Sequence, residues 1–306
     1  MTNRLKYIDT LKGLCILLVL IDHSGFILHP ILDYIEVPSF FLLSGFLYKE
    51  QSFFKLLNNK ITKLIIPYFL FSILFIIPFL CTKDISISIS SIIFFFLLPA
   101  NEPLWFLKTL FWAFLIYKLL DLLFSKFTMY NLGKIVFLFT IILGAFFAKK
   151  HAFTNNLFII SCIPQALIAL PLFMFGNIIR KYNFIETYYK TGKFRFLLLL
   201  PLICLWVFHA KSNLSLHIAQ YNESIIEFYI SSICAFLSLL FIFSEFNQKY
   251  ILPWLGRNSI HILGLHFSII TLLYYFNINN NFIILVTTTT VLIPLTYISK
   301  KFLPSI

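Results

Sequence analysis

The sequence predicts an all-α polytopic integral membrane protein of about ten transmembrane helices, with both termini on the cytoplasmic side. Hydrophobic residues make up 60% of the 306 residues and charged residues only 12%, and the mean hydropathy is +0.91. A soluble domain has roughly 45–50% apolar and ~25% charged residues, so a soluble fold is excluded. The net charge of +12 is spread over short basic clusters between apolar segments, which indicates membrane topology and not nucleic-acid binding.

Ten apolar segments approach the length of about 20 residues that a spanning helix needs. The second segment is short, and Pro38 and Gly45 indicate that it is broken or tilted. No internal repeat or linker is visible, so residues 1–306 are expected to form a single transmembrane domain. The predicted spans are 11–29, 38–48, 64–82, 103–124, 135–149, 157–179, 194–210, 223–244, 258–276 and 282–299.

The distribution of Lys and Arg decides the orientation. The Ile/Ser-rich segment 85–100 is ambiguous. When it is placed at the outer surface, 19 of the 24 basic residues fall on the cytoplasmic side, as the positive-inside rule requires. The first apolar run contains Asp22 and His23 and lacks a small-residue cleavage site, so a cleavable signal peptide is not expected. The five cysteines show no spacing of a metal site or a disulfide framework.

The first predicted span carries the most informative pair of residues, Lys12 and His23. Eleven residues make three helical turns plus about 20°, so the two side chains share a face, ~16 Å apart along the axis. Ionisable groups inside a membrane segment usually mark a reaction site or a polar pathway. A neutral imidazole can remove a hydroxyl proton, and Asp22 or Glu102 would fix its tautomer. Alternatively, Lys12 only anchors the helix end.

Three further places carry candidate residues. The fourth span opens with Glu102, Trp105 and Lys108; Glu102 and Trp105 are also consistent with a helix-dipole partner and an interfacial aromatic. Lys108 needs an anionic partner inside the membrane, for which Asp22, Glu36 and Glu102 are the candidates.

The spacing of Lys60 and Lys63 puts both on one face, where they bind phosphates or only enforce topology. In the ninth span, Asn258 precedes His261 and His266, whose five-residue spacing does not suit zinc.

These motifs, taken in order, resemble the acyltransferase-3 family of bacterial membrane acyltransferases, and particularly its fucose 4-O-acetylase-like branch. The resemblance covers essentially the whole chain. The motifs that carry it are Arg4-x-x-Tyr-Ile-Asp9-Thr-Leu-Lys12-Gly13 continuing to His23, Pro38-Ser-Phe-Phe-Leu-Leu-Ser44-Gly45-Phe-Leu-Tyr48, Lys60-x-x-Lys63 before Pro67-Tyr68, Pro103-Leu-Trp105-Phe106-Leu, and Leu255-Gly256-Arg-Asn258-Ser259 through His266.

The resemblance implies transfer of an acetyl group from acetyl-CoA to a hydroxyl of an envelope or secreted glycan, or of its lipid-linked precursor. It implies that His23 is the catalytic histidine, supported by Lys12, and that Lys60 and Lys63 contact the phosphates of CoA. The location implied is the bacterial cytoplasmic membrane. Asp22 and Glu102 complete the candidate catalytic set. The expected substrate pocket comprises Trp105, Lys108, Glu36, Asn258 and His266, and no metal is expected.

Two departures from the family pattern concern this site. Lys12 replaces the usual arginine, which keeps the charge and loses the bidentate fork. Ile35-Glu36-Val37-Pro38 stands where sugar acetylases of the branch often have Phe-His-Met-Pro, so the acceptor stays open. No appended extracytoplasmic domain is expected. The acyl chain length, a direct or an acetyl-histidine route, and the oligomeric state also stay open.

Two other classes of membrane protein compete with the enzyme. One is a proton-coupled carrier of a glycan precursor or small solute that uses Asp22, His23 and Lys108. Such carriers often show inverted repeats or paired broken helices, and the sequence shows neither. The other is a lipid-linked glycan polymerase, which would usually carry a larger extracytoplasmic loop with basic residues.

Overall fold

The protein is built from α-helices, and the helical class is confirmed. A computed structural model describes residues 6–26, 30–82, 102–124, 132–150, 162–183, 194–209, 214–215, 220–221, 225–243 and 251–303. The α-helices are α1 Lys6–His23, α2 Pro30–Asp33, α3 Glu36–Phe46, α4 Phe53–Lys60, α5 Ile66–Thr82, α6 Trp105–Phe124, α7 Leu132–Lys150, α8 Ile163–Lys181, α9 Phe194–His209, α10 Ile225–Phe243, α11 Ile251–Arg257, α12 Ser259–Tyr275 and α13 Asn281–Phe302.

Four short elements accompany the α-helices in the described part of the chain. A π-helix, Ile61–Ile65, joins α4 to α5, and a 3₁₀ turn, Glu102–Leu104, precedes α6. Strands β1 Leu214–Ser215 and β2 Gln220–Tyr221 pair antiparallel, a detail that the prediction of a purely helical chain missed.

Each of the ten predicted spans overlaps one of these helices. Helices α8, α10 and α13 are long and apolar enough to cross a membrane. Helix α12 is apolar over its 17 residues, and shorter apolar stretches lie in α7 and α9. The full count of ten spans and the cytoplasmic termini stay predictions, and segment 85–100 lies outside the described residues.

Helix α1 differs from the predicted span 11–29 at both ends. It begins at Lys6 and ends at His23. The helix ends there because Gly25 adopts a left-handed conformation with φ of 87°, which glycine reaches without steric cost. The Nδ2 group of Asn281 donates a hydrogen bond of 2.6 Å to the Gly25 carbonyl. His23 is therefore the last residue of a helix and does not lie in its middle.

Two helix crossings depend on glycines that let backbones touch. A Cβ on Gly45 of α3 would lie 1.8 Å from the Phe173 carbonyl oxygen of α8, and one on Gly176 of α8 would lie 1.9 Å from the Leu42 carbonyl oxygen. Helices α1 and α11 meet in the same way, because a Cβ on Gly13 or on Gly256 would lie 1.9 Å from a backbone oxygen of the other helix. Small residues at crossings are typical of membrane helix packing.

The α3–α8 crossing also explains Gly45. Helix α3 runs unbroken from Glu36 to Phe46, so the break expected at Pro38 and Gly45 is not found, and the alternative of a tilted span stays a prediction. Pro38 lies in the first turn, where proline is tolerated. Gly45 serves a close approach between helices.

We predict that Gly45→Ala destabilises the protein by about 1–3 kcal/mol, the usual cost of overpacking, because the added methyl group meets the backbone of α8. Thermal unfolding in detergent measures the loss. Gly133→Ala is the matched control, since a Cβ on Gly133 has no atom within 4 Å. An equal change in both variants would contradict the packing argument.

Candidate active site

A cavity of about 120 Å³ runs beside helix α1. The α1 residues that line it are Lys12, Ile16, Val19 and His23, which is the face expected from the helical spacing. Helices α3, α6 and α12 supply the other walls. The cavity therefore joins Lys12, in the first half of α1, to the histidine at its end.

The ring of His23 is held in one orientation by the backbone. Its Nδ1 atom lies 2.9 Å from the Val19 carbonyl oxygen. A carbonyl can only accept a hydrogen bond, so Nδ1 carries the proton, and Nε2 of the neutral ring keeps its lone pair. The Val19 carbonyl thus has the role for which the sequence analysis named Asp22 or Glu102.

Those two acidic residues lie in different settings. Asp22 is exposed and is not among the described residues that line the cavity. Glu102 begins the 3₁₀ turn before α6, and its side chain lies outside the description. The structure places the Val19 carbonyl, and not the Asp22 carboxylate, at Nδ1 of His23, and the role expected of Glu102 stays a prediction.

Two aromatic rings of α12 pack against His23. The His266 ring lies 5.1 Å from the His23 ring, centroid to centroid, at 73°, and Phe267 lies at 5.7 Å and 84°. Within the described part of the chain, the buried Nε2 of His266 has no hydrogen-bond partner, while its Nδ1 is 2.9 Å from the Ile262 carbonyl. His266 was expected to share the cavity of His23 and instead packs against the His23 ring, outside the cavity wall.

Helix α3 places a carboxyl in the cavity. Glu36, Phe40 and Ser44 follow one another at four-residue spacing and all line it, so they share a face of α3. Glu36 is only 8% exposed. Ser44 and Ser259 of α12 also line the cavity; the sequence motifs include both, but neither was expected in the pocket, although the i, i+4, i+8 pattern that starts at Glu36 could have indicated Ser44.

The other predicted pocket residues are divided between the cavity and its surroundings. Trp105 lines the cavity. The Nζ atom of Lys108 lies 4.5 Å from the centroid of the Tyr68 ring, and Asn258 is buried with its Nδ2 group donating to the Trp254 carbonyl at 2.7 Å. Neither Lys108 nor Asn258 is among the described lining residues.

Lys60 is the last residue of α4, and Lys63 lies within the π-helix that follows it. More residues wind into each turn of a π-helix, so two residues three apart do not share a face as they would in an α-helix. Lys63 is exposed, while the Nζ atom of Lys60 lies 3.3 Å from the centroid of the Phe114 ring. The expectation of one shared face is therefore corrected.

Lys60 nevertheless has basic neighbours. Burial, together with the smaller effects of the positive charges of Lys63 and Lys12, lowers the pKa of Lys60 to about 8. Like charges act in this way only at short range. Lys60 thus lies within electrostatic range of Lys63 and of Lys12, the other two lysines expected to meet the donor.

A family model described as an acyltransferase domain, Acyl_transf_3, matches residues 5–299. Neither a curated protein nor a solved structure gives a significant match to the chain. The family match includes every helix that lines the cavity, and it favours acyl transfer over the carrier considered from the sequence. The narrower fucose 4-O-acetylase-like branch stays a prediction. On this match, the chain belongs to the acyltransferase-3 family.

Proposed function

We propose that the protein is a membrane O-acetyltransferase that moves an acetyl group from cytosolic acetyl-CoA to a hydroxyl of an envelope or secreted glycan, or of its lipid-linked precursor. The observation that carries the proposal is that Lys12 and His23 line the same cavity. Family membership supports acyl transfer. We place the protein in the bacterial cytoplasmic membrane with ten spans and both termini inside, as the basic residues favour.

In this proposal the donor enters from the cytoplasmic side. Lys60, Lys63 and Lys12 bind the phosphates of CoA, because ammonium groups attract phosphate as point charges. The pantetheine arm then follows α1 past Ile16 and Val19. These apolar walls exclude water, which protects the thioester from hydrolysis.

The chemistry centres on Nε2 of His23. This atom takes the proton of the acceptor hydroxyl while the hydroxyl oxygen attacks the acetyl carbonyl carbon. The carbon–sulfur bond then breaks, and the leaving thiolate receives the proton from the imidazolium, so the products are an O-acetyl ester and CoA. In the alternative route, Nε2 is itself acetylated before the ester forms, and the same geometry serves both.

The end of helix α1 at His23 favours this step. The C-terminus of a helix carries partial negative charge that stabilises a nearby cation by about 0.3–1 kcal/mol. The imidazolium formed during transfer lies at this position. His266 and Phe267 restrict rotation of the ring by edge-to-face contact, and Trp105 and Glu36 form part of the acceptor pocket.

We predict that His23→Asn lowers acetyl transfer at least ~100-fold, the lower range of general-base contributions. The assay supplies labelled acetyl-CoA to membranes and follows the label into envelope glycan, normalised to the amount of folded protein. His261→Asn is the matched control and retains transfer, because His261 is buried against Ser299 and is not among the described lining residues.

Full activity in His23→Asn would overturn the assignment of His23. Absence of covalent label in the unmodified protein, together with counterflow of an intact solute, would overturn acyl transfer itself.

We also predict that CoA binds more weakly as the pH rises from 7.5 to 9.5. Lys60 is charged below its pKa of about 8 and loses that charge above it, so its attraction for phosphate is present at low pH and disappears at high pH. Isothermal titration calorimetry measures the affinity. In Lys60→Arg the affinity stays level, because a guanidinium keeps its charge throughout this range.

Lys63→Arg serves as the control and keeps the pH dependence, since Lys60 is unchanged. An affinity that does not vary with pH in the unmodified protein would show that Lys60 does not contact the donor.

A further inference from the structure

Glu36 is a buried carboxyl that the proposed transfer step does not use. It lines the cavity together with His23, and it is only 8% exposed. Its Oε1 atom has no hydrogen-bond partner among the residues that the structure describes. A buried polar group without a partner is costly, so an unpaired carboxyl in the cavity of the candidate base calls for a role that involves the reacting molecules.

The groups around Glu36 give its position along helix α1. Glu36 acts electrostatically on the thiol of Cys15, and the carboxylate of Asp22, the neighbour of His23, acts on Glu36. Glu36 therefore lies beside the second half of α1, toward the end of the cavity that His23 lines. Lys12 lines the same cavity, but it lies ~16 Å from His23 along the helix axis and is not among the groups that act on Glu36.

The carboxyl of Glu36 is largely uncharged at neutral pH. Burial, together with the smaller effects of the carboxylates of Asp22 on α1 and Asp33 on α2, raises the pKa of Glu36 to about 8. A protonated carboxyl has an O–H group that donates a hydrogen bond. Away from the described cavity wall, the helices packed against α3 also carry Asp9 of α1, Glu227 of α10, and Arg180 and Lys181 of α8.

Acyl transfer needs such a donor at the acetyl carbonyl oxygen. When the acceptor hydroxyl attacks the carbonyl carbon, an electron pair moves to that oxygen, which is negatively charged until the carbon–sulfur bond breaks. His23 does not supply the donor, because its Nδ1–H is bonded to the Val19 carbonyl and its Nε2 takes the proton of the hydroxyl. A neutral carboxylic acid in an apolar site can donate to an oxyanion without adding a charge of its own.

On the basis of the proposed function, we propose that Glu36 is a catalytic residue whose carboxyl O–H donates a hydrogen bond to the acetyl carbonyl oxygen as the oxyanion forms. The proton stays on Glu36 throughout. The hydrogen bond strengthens while the charge is present and weakens when the carbonyl forms again and the thiolate leaves. His23 still carries the proton of the acceptor hydroxyl to the thiolate, so the products are unchanged.

The pH dependence of kcat tests this role. Membranes that contain the full-length protein and the envelope glycan receive labelled acetyl-CoA at saturation, so that weaker donor binding at high pH does not affect the rate. The O–H donor is present below the Glu36 pKa of about 8 and is lost above it. We expect kcat of the unmodified protein to fall at least ~10-fold between pH 7 and pH 9.5, because each pH unit above a pKa removes about nine-tenths of the protonated form.

Two substitutions separate the hydrogen-bond donor from the shape of the side chain. Glu36→Gln keeps an N–H donor that does not titrate, and we expect its kcat at pH 9.5 to stay within ~3-fold of its value at pH 7. Glu36→Met keeps the length and has no donor. We expect it to lower kcat at pH 7 by ~100-fold, the usual effect of removing one oxyanion donor, with the KM for acetyl-CoA unchanged.

Glu50→Gln is the matched control, because Glu50 is 82% exposed and pairs with Lys118. We expect this variant to keep both the rate at pH 7 and the alkaline loss of the unmodified protein.

A constant kcat of the unmodified protein from pH 7 to pH 9.5 overturns the inference, and so does an alkaline loss that persists in Glu36→Gln. Both results are decisive even if Glu36→Met does not accumulate. Full kcat in folded Glu36→Met overturns the inference as well. Each of these results leaves acyl transfer itself in place, whereas absence of label from the glycan in the unmodified protein contradicts the proposed function and the inference with it.

Discussion

The backbones of helices α1 and α11 touch at Gly13 and Gly256, and the candidate site depends on this contact. A Cβ on either glycine would come within 1.9 Å of a carbonyl oxygen of the opposite helix, so the approach is available only to glycine. Because residues advance about 100° per step, fixing the Gly13 side of α1 against α11 also fixes the neighbouring side, which carries Lys12 and His23, toward the cavity. Asp22 lies about 100° round the helix from His23, on the side opposite Gly13, and it is exposed there.

The end of α1 is fixed by a second backbone feature. The left-handed turn at Gly25 ends the helix directly after His23, and Asn281 of α13 binds the Gly25 carbonyl. The imidazole is thereby placed at a helix C-terminus with Nδ1 tied to the Val19 carbonyl. No acidic side chain is needed to fix the tautomer, which leaves the buried carboxyl of Glu36 available for a different role.

The sequence predicts the helices well and the site in part. Hydrophobic length and basic clusters locate ten helical segments, and the eleven-residue spacing puts Lys12 and His23 on one face, because both arguments depend on local periodicity. The position of His266 against His23 was expected only approximately, since it requires the packing of α12 on α1.

Features that depend on tertiary contacts were missed for a physical reason. The end of α1 at His23 depends on the conformation of Gly25 and its bond to α13, which are separated by more than 250 residues. The π-helix that begins directly after Lys60 and contains Lys63 has no periodicity signal, and the role of Gly45 becomes visible only beside the carbonyl of Phe173. A hydropathy pattern contains none of this information.

In the proposed mechanism, a donor thioester from the cytoplasmic side reaches the imidazole of His23 through the cavity. An experimental structure with a non-hydrolysable acetyl-CoA analogue tests this most directly. We expect the phosphates beside Lys60, Lys63 and Lys12, the pantetheine arm along Ile16 and Val19, and the acetyl carbonyl carbon within about 4 Å of Nε2, the range of a near-attack geometry. An analogue bound elsewhere, or a His23 ring that faces the lipid, would contradict the account.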